Sequence, residues 1–191
     1  MEGESQCHET SVLHRDGQRI ELLLTLVPIR VDDAVEGLYI IARDDTQRRL
    51  NLNALRSSEE RYRTFIAHSS EGIWCYELEW PIPVGREEDE CIEHFFRYAY
   101  LAECNDAFAR MYGYETASEV IGTYLRDILL PDDEHNIEYL REFLRNDFRL
   151  SDAESHEIDR DGNLRYFLNN MTGIVRDGLM LRAWGTQRDI T

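Results

Sequence analysis

Residues 154–191 read ESHEIDRDGNLRYFLNNMTGIVRDGLMLRAWGTQRDIT, and they decide the fold because the chain contains the segment twice. Residues 9–46 read ETSVLHRDGQRIELLLTLVPIRVDDAVEGLYIIARDDT. Adding 145 to a number in the first copy carries Glu9 onto Glu154, Arg15 onto Arg160, Asp16 onto Asp161, Gly17 onto Gly162, Arg43 onto Arg188, Asp44 onto Asp189 and Thr46 onto Thr191, with no gap. A repeat of this kind outranks any local pattern as evidence about architecture. In each copy an Asp-Gly pair separates runs of alternating character, and glycine supplies the positive φ of a tight hairpin. A recurring half-sheet therefore ends each of two modules, with a helix between them.

In the first copy the pattern predicts strands over Glu9–His14, Arg19–Arg30 and Gly37–Ala42, with a turn at Asp32-Asp33. Pro28 suits a strand end or an edge. Thr46 to about Ala67 has no Gly or Pro and is rich in Arg, Glu, Leu and Ala, which predicts a helix. Gly72–Glu79 reads as a strand and Trp80-Pro81-Ile82-Pro83 as a break. Cys91, Ile92, Phe95, Phe96 and Ala99 then recur at helical spacing, with acidic residues at the start, where they suit the helix dipole. Next come a strand over Tyr98–Glu103, a helix over Asp106–Tyr112 capped by Asn105 and ended by Gly113, and a short helix at Thr116–Glu119. A long helix starts at Asp132-Asp133, with Ile137, Leu140, Phe143 and Leu144 expected to face inward. Strands over Arg149–Ile158, Leu164–Ile174 and Leu179–Arg188 complete the chain.

The upstream pieces are Ser69-Ser70-Glu71-Gly72-Ile73-Trp74, Asn105-Asp106-Ala107-Phe108 running to Met111-Tyr112-Gly113-Tyr114, Val120-Ile121-Gly122 and Leu130-Pro131-Asp132-Asp133. With the Asp-Gly hairpin, two long strands and the terminal Asp-x-Thr, their order and spacing resemble a PAS domain, a sensory-box module. The resemblance implies an α+β fold: a PAS-like five-stranded antiparallel sheet with helices packed on one face. It divides the chain into residues 1–46, the three-stranded C-terminal half of a preceding PAS domain; 47–61, a helical linker; and 62–191, a PAS domain with an inserted helix near 86–97. On this reading the chain is an excerpt from a longer protein.

Composition narrows the function. The net charge of −17 argues against nucleic-acid and anionic-membrane partners, which want a basic patch. All 21 basic residues are arginine. The absence of lysine disfavours a P-loop, a protein kinase and a pyridoxal enzyme, each of which needs one. The four cysteines (Cys7, Cys75, Cys91 and Cys104) show no CxxC spacing and read as reduced thiols of a cytoplasmic protein. No apolar run reaches the roughly 18 residues of a membrane span.

Specific chemistries find little support. His135 lies two residues before Ile137, on the polar face of its helix, and is badly placed for a haem; His156 is expected to face solvent. Gly122-Thr123-Tyr124-Leu125 lacks the Asn and Cys that flavin–cysteine photochemistry implies at this point. Arg63-Thr64-Phe65-Ile66-Ala67-His68 lacks the surroundings of a phosphoacceptor histidine. Cys91 and His94 form a CxxH pair with no second pair, so no metal site is expected. Asp159-x-Asp161 reads as turn chemistry, because Gly162 arrives too early for a calcium loop. No Gly-x-Ser-x-Gly or comparable nucleophile motif occurs, so this region is expected to be non-enzymatic.

What remains is the cavity that the resemblance implies between sheet and helices. Strand alternation and helix phase nominate Ile73, Cys75, Phe108, Met111, Tyr112, Ile128, Ile137, Leu140, Leu144, Phe167, Asn169, Met171 and Trp184 as its lining. Asp189 and Thr191 are the expected signal-exit motif, since their twins Asp44 and Thr46 lead straight into the linker helix. The resemblance further implies a homodimer, a possible small-molecule ligand of unknown identity, and a place in signal transduction such as a two-component system. A passive dimerisation or spacer module with a filled core is the other reading.

Overall fold

The computed structural model describes residues 6–32 and 34–191; Asp33, half of the turn expected at Asp32-Asp33, lies outside them. The chain divides into two compact units, one reaching to Arg63 and the other spanning Thr64–Thr191.

The first unit holds three antiparallel strands in the order β1 (Gln6–Leu13), β2 (Arg19–Val31), β3 (Ala34–Asp44). Helix α1 (Thr46–His68) starts here and ends in the second unit. The repeat seen in sequence is a repeat in geometry. The β2–β3 register shifts between Ile29 and Arg30, and the matching pair in the second unit shifts between Ile174 and Val175, 145 residues on. Gly17 has φ +86° and Gly162 has φ +81°, both at the turn where only glycine is unstrained. Glu21 N–H donates to Thr46 Oγ1 at 2.9 Å, and Tyr166 N–H donates to Thr191 Oγ1 at 3.0 Å. Asp44 Oδ1 accepts from Thr46 N–H and Asp189 Oδ1 from Thr191 N–H, at 2.9 and 2.8 Å.

The second unit is built on a five-stranded antiparallel sheet. Its strands are β4 (Gly72–Pro83), β5 (Ala99–Cys104), β6 (Arg149–Ile158), β7 (Leu164–Arg176) and β8 (Leu179–Asp189), in the order β5-β4-β8-β7-β6. Helices α2 (Glu88–Tyr98), α3 (Asp106–Met111) and α4 (Glu134–Arg145) lie on one face of the sheet, with short 3-10 turns at Ala117–Glu119 and Leu125–Asp127. Strand β4 runs on through the expected break at Trp80–Pro83, because Ile82 and Pro83 resume pairing with Met180 and Leu179 after a register shift.

Local chemistry fixes the helix ends. Asn105 caps α3 by accepting from Phe108 N–H, and Asp133 caps α4 by accepting from His135 N–H. Helix α2 falls where helical spacing places it. It buries Cys91, Ile92, Phe95 and Phe96 in the core, and its acidic first turn meets α4 through Glu88 and Asp89, which pair with Arg141 and Arg145. That ion cluster is solvent-exposed, so the apolar face holds the helix and the charges set its register.

Candidate functional site

Between the sheet and the helices lies a cavity of about 60 Å³. Strand β4 contributes Trp74, Tyr76 and Leu78, and α4 contributes Tyr139, Leu140 and Phe143. Phe95, Ala99, Leu125 and Leu129 close one side; Met171, Met180 and Ala183 come from the sheet. Tyr112, Glu157, Asn169 and Gln187 complete the wall, and with the hydroxyls of Tyr76 and Tyr139 they are its polar groups.

Tyr112, Leu140, Asn169 and Met171 are thus the nominated residues that reach the cavity. Others miss it for definable reasons. Ile73 and Cys75 are one residue out of phase: successive strand residues alternate faces, and Trp74, Tyr76 and Leu78 take the inner one. Trp184 sits opposite Cys75 in the register and shares its outer face. Cys75 is nonetheless fully buried, and burial pushes its thiol up to about 12, with Glu103 adding to the rise. On α4 the inward stripe is Asn136, Tyr139, Leu140 and Phe143, so Ile137 and Leu144 fall to its edge and are half-buried. Phe108, Ile128 and Phe167 are buried core that supports the wall without lining it, and Met111 is half-buried beside them.

The sequence reading missed Glu157, whose pairing with Ser155 on one strand face was a usable signal. Ser155 Oγ donates to Glu157 Oε1 at 2.5 Å, and Tyr112 Oη donates to Glu157 Oε2. Gln187 Nε2 donates to Tyr112 Oη at 2.9 Å, and Asn169 Nδ2 to Ser155 Oγ at 2.8 Å. All five side chains are buried. Removal from water raises the Glu157 carboxyl above its usual range, against the two hydroxyl donors that lower it. Tyr112 is held well above the usual phenol range, first by burial and then by the neighbouring Glu157 charge. Trp74 also lines the cavity, and its indole Nε1–H is buried with no hydrogen-bond partner. A buried donor without a partner is uncommon, since leaving one unmet costs about 1–3 kcal/mol.

The other sequence candidates separate in space. Cys91 is buried, whereas His94 Nε2 bonds the Trp80 carbonyl oxygen at 2.6 Å. Asp159 accepts from Asn163, Arg165 and the Asp161 backbone, which makes it the organiser of the β6–β7 turn and lowers its carboxyl to about 2. His135 is exposed as expected. His156 is half-buried, because its ring lies between His135 and Tyr166. No helix among the described residues is long and apolar enough to cross a membrane.

A family model described as a PAS domain matches residues 98–191, just under half of the chain. No curated protein matches. Among solved structures, the PAS domain of a protein from Colwellia psychrerythraea superposes with a TM-score of 0.50 at 18% identity, covering 69% of this chain and 96% of that one. A PAS domain of an HTR-like protein from Haloarcula marismortui covers 74% of this chain and 99% of its own at 20% identity and a TM-score of 0.48. The five-stranded order and the helices on one face match the PAS fold, and residues 98–191 match the PAS domain family model.

Proposed function

We propose that residues 62–191 act as a sensory module that holds a small molecule in the cavity between sheet and helices and relays its presence through the flanking segments. The observation that carries this reading is the wall of the cavity. It is apolar except at Tyr76, Tyr112, Tyr139, Glu157, Asn169 and Gln187, and it includes Trp74, whose buried Nε1–H lacks a partner. A filled, passive core has no use for an unmet donor in a wall that also holds a buried carboxyl. A compact neutral ligand bearing one hydrogen-bond acceptor fits such a wall.

The relay runs through two junctions. At one, Asp189 and Thr191 fasten the end of β8 to β7; at the other, Asp44 and Thr46 fasten the start of α1 to β2 in the same geometry. That shared geometry also supports reading residues 1–46 as the C-terminal half of a second PAS domain, with 47–61 as the linker. The module is non-catalytic, homodimeric and cytoplasmic, and serves a signal-transduction protein of the two-component kind.

Native mass spectrometry of freshly purified protein, beside its denatured mass, tests the reading. An added mass that disappears on denaturation, and that Leu140→Trp abolishes by filling the cavity, is the expected result. An apo dimer unchanged by small-molecule screening would transfer the function to a ligand-free spacer, and a monomer would remove the dimer.

A further inference from the structure

Away from the cavity, four side chains with ligating atoms converge where the first turn of α4 meets β6. His135 comes from the helix. Glu154 and His156 are alternate residues of the strand and so share one face. The ligating atoms of these three all lie within 4.8 Å of one another. The two imidazoles are parallel, with centroids 4.2 Å apart and planes 9° from each other. Tyr166 packs edge-on against the other side of His156 at 5.0 Å, which fixes that ring.

The hydrogen bonding of His156 makes the cluster informative. Asp133 Oδ2 lies 2.7 Å from His156 Nδ1. A carboxylate only accepts, so Nδ1 carries the hydrogen, and in the neutral ring Nε2 is then a bare lone pair. That lone pair faces Glu154 Oε1 at 3.3 Å. A ring nitrogen and a carboxylate oxygen at this spacing fit two neighbouring ligands of one cation.

We propose that His135, Glu154 and His156 bind a first-row divalent metal ion of the zinc type, with Asp133 as the positioning residue for His156. A carboxylate behind a ligating imidazole is the arrangement that fixes the tautomer and raises ligand basicity in metal sites. Two imidazoles and one carboxylate suit zinc, nickel or copper rather than magnesium or calcium, which want an oxygen shell. Three protein ligands leave the fourth tetrahedral position to water. The helix N-terminus opposes a cation with roughly half a positive charge. Asp133 offsets it, because its Oδ1 accepts the His135 backbone N–H at 2.8 Å while its Oδ2 holds His156. Binding requires His135 Nε2 to leave the Glu154 carbonyl oxygen, 2.9 Å away, and turn inward. His135 and Glu154 are exposed, so rotamer changes suffice. The sequence expectation of no metal site rested on the unpaired CxxH motif; this cluster joins residues remote in sequence and has no motif.

The test is titration of the intact chain with zinc and with cobalt as a spectroscopic probe, read by calorimetry, visible absorption and NMR of the histidine side-chain nitrogens. One ion per chain is expected, with shifts confined to His135 and His156. His135→Gln and His156→Gln should each weaken binding at least tenfold, and Asp133→Asn, which keeps the helix cap, by about tenfold. Unchanged affinity in the His135→Gln/His156→Gln double variant, shifts at His8 or His14 instead, or no uptake at millimolar metal would overturn the proposal. The NMR readout on the unaltered chain keeps the outcome independent of how the variants fold.

Discussion

Asn105 Nδ2 donates to the Ile66 carbonyl oxygen at 3.1 Å, tying the last turns of α1 to the cap of α3. The same amide also donates to the Glu71 carbonyl oxygen, while Oδ1 accepts from Ile73 and Phe108 backbone N–H groups. One buried side chain thus satisfies four backbone groups from three segments. Asn105→Ala removes a helix cap, worth about 1 kcal/mol, and strands buried partners at about 1–3 kcal/mol. Denaturant unfolding should show a loss of about 2–4 kcal/mol, and Asn105→Asp, which keeps the two accepted bonds but turns a carboxylate oxygen onto the Ile66 and Glu71 carbonyl oxygens, should not restore it.

Glu157 gives the domain a distinctive pH dependence. Its folded carboxyl titrates above the ordinary value because it is buried. Between the unfolded and folded values the native state holds a proton that the unfolded chain has released. Stability therefore falls as pH rises through that window, by at most about 1.4 kcal/mol per pH unit. Glu157→Gln should abolish this slope and leave the chain more stable on its alkaline side. A slope that survives the substitution, measured by urea unfolding across pH, would assign it to another group.

Asp159 works with the opposite sign. Asn163, its backbone and Arg165 hold the folded carboxyl at about 2, below the ordinary value of 3.8. Its contribution is complete above the unfolded value and is lost as pH falls through that window. Asp159→Asn should lower the thermal midpoint at neutral pH while flattening this part of the acid limb.

Gly185 lies under the Trp74 ring, where a Cβ would collide with the indole carbons. Gly185→Ala should cost about 1–3 kcal/mol through forced repacking and should shift the tryptophan emission, since Trp74 forms part of the cavity wall. An unchanged emission spectrum and midpoint would show that the ring moves aside freely.

Element order was legible because the +145 repeat supplied two readings of the same three strands, and because Asn105, Asp133 and Gly113 are strong local punctuation. Facing was less legible. On β4 both Ile73-x-Cys75 and Trp74-x-Tyr76 are apolar, so alternation alone does not choose the inner face. On α4 the stripe includes Asn136, whose amide donates to the Leu130 and His156 carbonyl oxygens and which hydropathy would place outside. Glu157 was hidden for a related reason: in a chain this acidic a carboxylate is read as surface, and its place on the strand face of Ser155 is a faint signal beside the packing of Tyr112 and Ser155 around it.

Every hydrogen bond in that buried group runs one way. Asn169 gives to Ser155 and Ser155 to Glu157; Gln187 gives to Tyr112 and Tyr112 to Glu157. Two chains of donors end on a single acceptor, an arrangement complete when Glu157 is an anion. One added proton leaves the group with a hydrogen too many, so either the serine or the tyrosine hydroxyl must turn away. Strands β6, β7 and β8 and the residue after α3 therefore share a common polarity, which the gain or loss of one proton reverses at one bond.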